Sequence, residues 1–120
     1  MAGIAEKLQV KGSRTLAVLG AKPAVDHAIG AEDRRAAPGK ADVAVLFVAN
    51  QKALEAKLPG VLAKLSPAAI LWVAYPKLTS ALAGDLNRDA IRKWAPSLKL
   101  DTVSQIAIDD DWSALRLKRV

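Results

Sequence analysis

The chain has 120 residues, 52% of them hydrophobic, with 18 Lys and Arg against 12 Asp and Glu for a formal net charge of +6. So much apolar surface excludes a disordered chain, the length suits a single α/β domain over residues 1–120, and the lack of cysteine excludes disulfides, thiolate catalysis and cysteine-ligated zinc. The basic balance favours an anionic partner, yet the lysines are scattered (Lys7, Lys11, Lys22, Lys40 and onward), only the terminal "RLKRV" is dense, and aromatics at 4% leave few platforms for stacking bases.

The opening "MAGIAEKLQVKG" carries Glu6 and Lys7 and has no continuous apolar core, so it does not read as a secretory signal. No apolar run reaches the ~18 residues that span a bilayer. A cytoplasmic protein without a membrane segment is the expectation.

Three short apolar runs follow: "TLAVLG" (15–20), "DVAVLFVAN" (42–50) and "AAILWVAYP" (68–76). Each is continuously apolar rather than alternating, as strands covered on both faces are in parallel sheets. Between the first two, "KPAVDHAIG" predicts a short helix with Pro23 at its first position and Gly30 past its end, and "AEDRRAAPGK" predicts a polar loop. Between the second and third, Leu54, Leu58, Val61, Leu62 and Leu65 fall on one helical stripe, with Asn50 as N-cap. Pro59 and Gly60 predict a kink there, or two short helices.

"GDLNRDAIRKWAPSL" predicts a further helix. Asn87 is its N-cap, Leu86 and Ile91 form a hydrophobic staple, and Pro96 ends or bends it. The final stretch, "DTVSQIAIDDDWSALRLKRV", alternates in part. It predicts a hairpin linked by "DDDW" at 109–112, with Trp112, Ala114 and Leu115 or Leu117 set against Ser113, Arg116 and Lys118. The expected fold is therefore α/β and three-layered: a mostly parallel, Rossmann-like sheet of about five strands ending in an antiparallel C-terminal hairpin. That hairpin leaves a sheet edge to be covered, twisted or paired with a second copy, which leaves room for a homodimer.

The sequence carries none of the common nucleotide-binding or nucleophile motifs. "LGAKPAVDHAIG" is not G-x-G-x-x-G, Gly39-Lys40 lacks the rest of a P-loop, and no serine sits in G-x-S-x-G. The single His27 has no ligand partner. No catalytic residue, metal ligand or cofactor is read from the sequence. What remains is topological, since ligands of open α/β sheets lie outside the carboxyl ends of the strands. That edge should carry Lys22, Asn50, Tyr75, Lys77, Thr79, Ser80 and the carboxylates of Asp109, Asp110 and Asp111, with Trp112 beside them. The structural readings are an N-cap for Asn50, a solvated turn for the aspartates drawing Lys77 into a surface ion pair worth ~0.5 kcal/mol, and core positions for Trp72 and Trp112. Lys77 is the residue without a structural reason.

"LWVAYPK", "DLNRDAIRKW" and "VSQIAIDDDWSALRL" together resemble an uncharacterised family of small bacterial domains that pair a W-x-x-x-P-K strand end with a late D-W-S hairpin. The resemblance covers roughly residues 42–118, its matching positions are Trp72, Pro76, Lys77, Asp111, Trp112 and Ser113, and it carries no known activity. At fold level the chain is similar to class I methyltransferases, whose parallel sheet also ends in an antiparallel hairpin. It departs from them in lacking the glycine-rich turn after the first strand and the next βα unit with its ribose-binding acid. The expected function is a non-catalytic module that binds an anionic small molecule or a protein partner at the Lys77 edge. The alternatives are a reduced methyltransferase-like enzyme and, against the scattered charge, a basic nucleic-acid-binding module.

Overall fold

Five strands form one sheet in the order β1-β2-β3-β5-β4. They are β1 (Leu16–Leu19), β2 (Val43–Phe47), β3 (Ile70–Pro76), β4 (Leu100–Ala107) and β5 (Trp112–Arg119). The first three run parallel, whereas β5 enters antiparallel between β3 and β4. The computed structural model describes residues 4–10, 12–81 and 83–119. The expectations for residues 1–3 at the amino end, Lys11 in the charge distribution and residue 120 in the basic end fall outside these, as does residue 82.

Helices cover both faces, which gives the three layers. α1 (Ile4–Lys7) and α2 (Pro23–Ile29) lie on one face, where Leu8 and Ile29 pack with Leu16, Val43, Val45 and Trp72. α3 (Gln51–Lys64) and α4 (Arg88–Trp94) lie on the other, where Leu54, Leu58 and Ile91 pack with Leu46, Leu71 and Val73. Every residue of β2 is buried, which accounts for its unbroken apolar sequence. α1 left no sequence signal, being one turn long. It is tied to the core by the indole of Trp72, whose Nε1 donates to the carbonyl of Leu8 at 2.9 Å.

The expected caps are present. The Asn50 side chain accepts from the Ala53 N–H at 2.8 Å and that of Asn87 from the Ala90 N–H at 2.9 Å. Leu86 and Ile91, at the staple positions, are both fully buried. α2 starts on Pro23, and Gly30 caps it at φ 74°. Pro96 ends α4, and the chain continues as a 3-10 turn through Leu98.

Three expectations are corrected. α3 is one continuous helix through Pro59 and Gly60. Both residues face solvent, so water can reach the carbonyl that Pro59 leaves unbonded, while Leu54 and Leu58 hold the helix to the sheet. The hairpin link is residues 108–111, and Trp112 already belongs to β5, with Ile108 N–H donating to the Trp112 carbonyl at 2.9 Å. The faces of β5 also differ from expectation. Leu115 and Leu117 share a face with Ser113, while Arg116 shares the other with Trp112 and Ala114. β5 is an inner strand buried on both sides, so strict polar–apolar alternation does not apply to it.

The segment before β2 goes around the outer edge of β1. α2 packs on one face, Arg35 makes a single parallel bridge to Leu16, and Ala36, whose N–H donates to the Leu16 carbonyl at 2.9 Å, packs on the other. Arg35 fastens this path: it pairs with Asp26 and donates from Nη2 to the carbonyls of Asp26 and Gly30.

The staple can be tested by urea unfolding. Leu86→Ala should cost about 2–5 kcal/mol, as deleting buried leucine side chains does, whereas Leu78→Ala, at a residue 72% exposed, should change stability by under about 0.5 kcal/mol.

Candidate functional site

The carboxyl ends of β1, β2, β3 and β4 share one edge, so the loops after them meet there. A cleft of about 300 Å³ opens on this edge, lined by Tyr75 and Ser113 on the paired strands β3 and β5, Gln105 on β4, residues 77–79 of the exit loop and residues 87–89 at the start of α4. The position of the exit loop follows from backbone bonds. Lys77 N–H donates to the Asp111 carbonyl at 2.8 Å, and the Ser80 hydroxyl donates to the Asp111 carboxylate at 2.8 Å. Lys77 is therefore held beside the hairpin link by its main chain, and the expected ion pair between its ammonium and the aspartates is not formed among the described residues.

Of the residues singled out from sequence, Tyr75, Lys77 and Thr79 line the cleft. Ser80 and Asp111 brace its loop. Asp109 organises the hairpin link, its carboxylate accepting from the N–H groups of Asp111 and Trp112 at 2.8 Å each; this is the turn-forming role foreseen for it. Asn50 caps α3 and lies away from the cleft lining. Trp112 is buried against Phe47 with ring centroids 5.1 Å apart, edge to face, in the core beneath α2. His27 is exposed and pairs with Glu32 at 3.7 Å. Among the described residues no cluster of three His, Cys, Asp or Glu is placed to hold a metal.

Sequence reasoning missed Asn87, Arg88, Asp89, Gln105 and Ser113. The first three were legible as a helix start but not as a wall of this cleft. Gln105 and Ser113 arrive through strand pairing: Ser113 stands opposite Tyr75, and Gln105 reaches the cleft beyond a register shift in β4 between Thr102 and Ser104.

The lining holds two cations, Lys77 and Arg88, and one carboxylate, Asp89, together with hydroxyl and amide groups. Arg88 Nη1 donates to Gln105 Oε1 at 3.3 Å, which aims the guanidinium along the cleft wall. The Tyr75 phenol is pushed above its ordinary pKa of 10.0, chiefly by burial; Arg88 pulls it down and Asp89 pushes it up. Tyr75 is thus a neutral hydrogen-bonding group at physiological pH.

No family model matches the chain, and no curated protein does. Its structure, however, superposes on the tRNA methyltransferase TrmK of B. subtilis with a TM-score of 0.58 at 11% identity, over 98% of this chain. The ribosomal protein L11 methylase from Lactobacillus delbrueckii subsp. bulgaricus gives 0.59 at 15% identity over 97%. LepI in complex with SAM gives 0.54 at 10% over 98%. The likeness is one of fold. The chain spans 64%, 74% and 39% of the lengths of these three proteins, respectively.

The residues present do not fit a methyl donor of the kind bound by methyltransferases. The natural place is the crevice between β1 and β2, where the chain path reverses direction around the sheet. The turn after β1 has one glycine, Gly20, at φ 77°, and a Cβ there would lie 2.7 Å from the Phe47 carbonyl oxygen. It continues into Ala21, Lys22 and Pro23, so the turn offers no second glycine and Pro23 no N–H. Where the neighbouring βα unit would carry its acid, this chain has the single Arg35 bridge followed by Ala36 and Ala37. The nearby carboxylate of Asp26 is paired with Arg35.

Tyr75 is the only tyrosine in the chain, so ultraviolet titration near 295 nm reads it directly. Its midpoint should lie above 10.0, and Arg88→Gln should raise it further, because the charge that lowers it is removed. The folded pKa exceeds the unfolded one, so the fold keeps its full stability below pH 10 and loses some as pH rises through the folded value.

Proposed function

We propose that this chain is a non-catalytic binding domain on a methyltransferase-like scaffold, which takes a small anionic ligand in the cleft beside β3. The observation that carries this reading is that Lys77 and Arg88 line one cleft with a single carboxylate, Asp89, at the edge where α/β sheets bind ligands. Each group has a role toward an anion. Arg88 presents a planar fork suited to a carboxylate or phosphate, and Lys77 adds a mobile point charge. Thr79, Ser113 and the neutral Tyr75 phenol supply hydroxyls. Leu78 forms an exposed apolar rim, so a ligand with an anionic head and a short apolar body suits the cleft best.

One observation favours a second reading, a reduced methyltransferase-like enzyme: the fold itself. Fold alone is weak support, because sites and not scaffolds carry function, and the crevice between β1 and β2 lacks the residues that a methyl donor needs.

A thermal-shift screen of carboxylated and phosphorylated metabolites separates the two. Under the binding reading, at least one such anion raises Tm by mass action. Lys77→Met and Arg88→Gln should then each weaken that ligand by about tenfold, which is about 1.4 kcal/mol. Undiminished binding in both variants would remove the cleft from the account. A shift with millimolar S-adenosylmethionine that survives both substitutions would favour the enzyme.

A further inference from the structure

The opposite, amino-terminal edge of the sheet holds a second concentration of positive charge. Arg116 lies on β5 between Trp72 of β3 and Ser104 of β4. Neither neighbour accepts a hydrogen bond from it: the Trp72 indole donates to Leu8, and no hydrogen bond joins Arg116 to the Ser104 hydroxyl. The Nε of Arg116 is enclosed by protein and has no hydrogen-bond partner. No carboxylate compensates the charge, since the ion pairs of the described residues are Arg35–Asp26 and His27–Glu32. An arginine carries five donors and cannot lose its charge, and enclosed donors are ordinarily satisfied. The Nη groups of Arg116, which are not enclosed and make no hydrogen bond or ion pair among the described residues, are the part of the guanidinium open to a partner from outside the chain.

There is room for one. Two cavities adjoin at Arg116 and share Ser66 with the loop before β3. One, about 190 Å³, is walled by Leu65, Leu100 and Leu117. The other, about 310 Å³, extends to Arg14 and Asp42. Arg14 spends Nη1 on the Gln9 carbonyl at 3.0 Å, and Arg119, beside the first cavity, spends Nη2 on the Leu62 carbonyl at 3.0 Å. Each guanidinium thus anchors by one nitrogen and keeps its charge at the rim. Asp42 is engaged by the N–H of Thr15 at 3.0 Å and stays beyond ion-pairing distance of Arg116.

We infer that Arg116 is the centre of a binding site for a phosphate-bearing small molecule, with the Ser66 hydroxyl beside it and Arg14 and Arg119 supplying the surrounding positive field. A phosphate matches the fork of a guanidinium, accepts from several donors at once and tolerates hydroxyl neighbours. This site is separate from the Lys77 cleft, at the other end of the strands.

Inorganic phosphate is the probe, compared with sodium chloride at equal ionic strength and pH. The measurement is made in the unaltered chain and in a Lys77→Met, Arg88→Gln background, which removes the cations of the cleft beside β3; phosphate should raise Tm in both, and the shift that remains in that background belongs to Arg116. Arg116→Met should abolish the shift. Arg116→Lys keeps the charge but not the fork, and should weaken phosphate at least tenfold; it decides the matter if the methionine variant does not fold. No phosphate-specific shift in that background, or an equal shift in the Arg116 variants made in it, overturns the proposal.

Discussion

β5 enters the sheet antiparallel between β3 and β4, and its register with β3 runs from Leu71 opposite Leu117 to Pro76 opposite Trp112. Both edges of the molecule depend on that one pairing. At the carboxyl end it delivers the hairpin link to the point where Pro76 stops the ladder, so that Asp111 can receive the Lys77 N–H and the Ser80 hydroxyl. At the amino end it places Arg116 beside Trp72, on a strand with neighbours on both sides. A slip of one residue would turn Leu115 and Leu117 away from the α3 and α4 layer and put Arg116 into it. The burial of these leucines against Leu71 and Val73 therefore fixes the register, and the register fixes the geometry of both charged regions.

What could be read from the chain beforehand divides along the same line. Buried parallel strands announce themselves by continuous apolar runs, and capped helices by Asn50, Asn87 and the Leu86–Ile91 pair, because those signals are local. Strand order is not local. An inner antiparallel strand is apolar on both faces except where a polar residue is tolerated, so Ser113 and Arg116 made β5 look like a half-exposed hairpin strand. Pro59 misled for the converse reason: the local penalty is real, but it falls on the solvent side of a helix held down by Leu54 and Leu58. In the cleft, Tyr75, Lys77 and Thr79 were legible from the strand-end rule. Gln105 and Ser113 were not, because their proximity is created by pairing across the sheet, and Arg88 was legible only as part of a helix start.

The path around β1 explains how a methyltransferase-like scaffold can lack a methyltransferase-like site. The chain leaves β1, covers one face with α2, touches the sheet edge once at Arg35 and reaches the other face at Ala36. The reversal of direction at β1 and β2 is present, and beyond β1 the chain meets the sheet edge through a single bridge at Arg35. Arg35 then does a structural job, holding Asp26 and the end of α2 against that bridge. A carboxylate committed to that pair is not free to receive a ribose hydroxyl, so the shortened segment is stabilised by the same contact that removes its nearest acid from ligand binding.

Charge is distributed to match. Asp109 turns its carboxylate on backbone N–H groups and Asp111 turns its own on Ser80, so both brace a loop, and neither forms an ion pair with the lysine beside it. Asp42 is likewise spent on Thr15 at the far edge. In both places a carboxylate is consumed by local structure while the neighbouring cation, Lys77 or Arg116, is left without a carboxylate partner among the described residues. Formal charge counts cannot show this, since they treat every acid as available to every base. A hydrogen bond from the backbone does not cancel a carboxylate's charge; it fixes where that charge sits, so the net charge of +6 does not by itself say which cations are left unpaired.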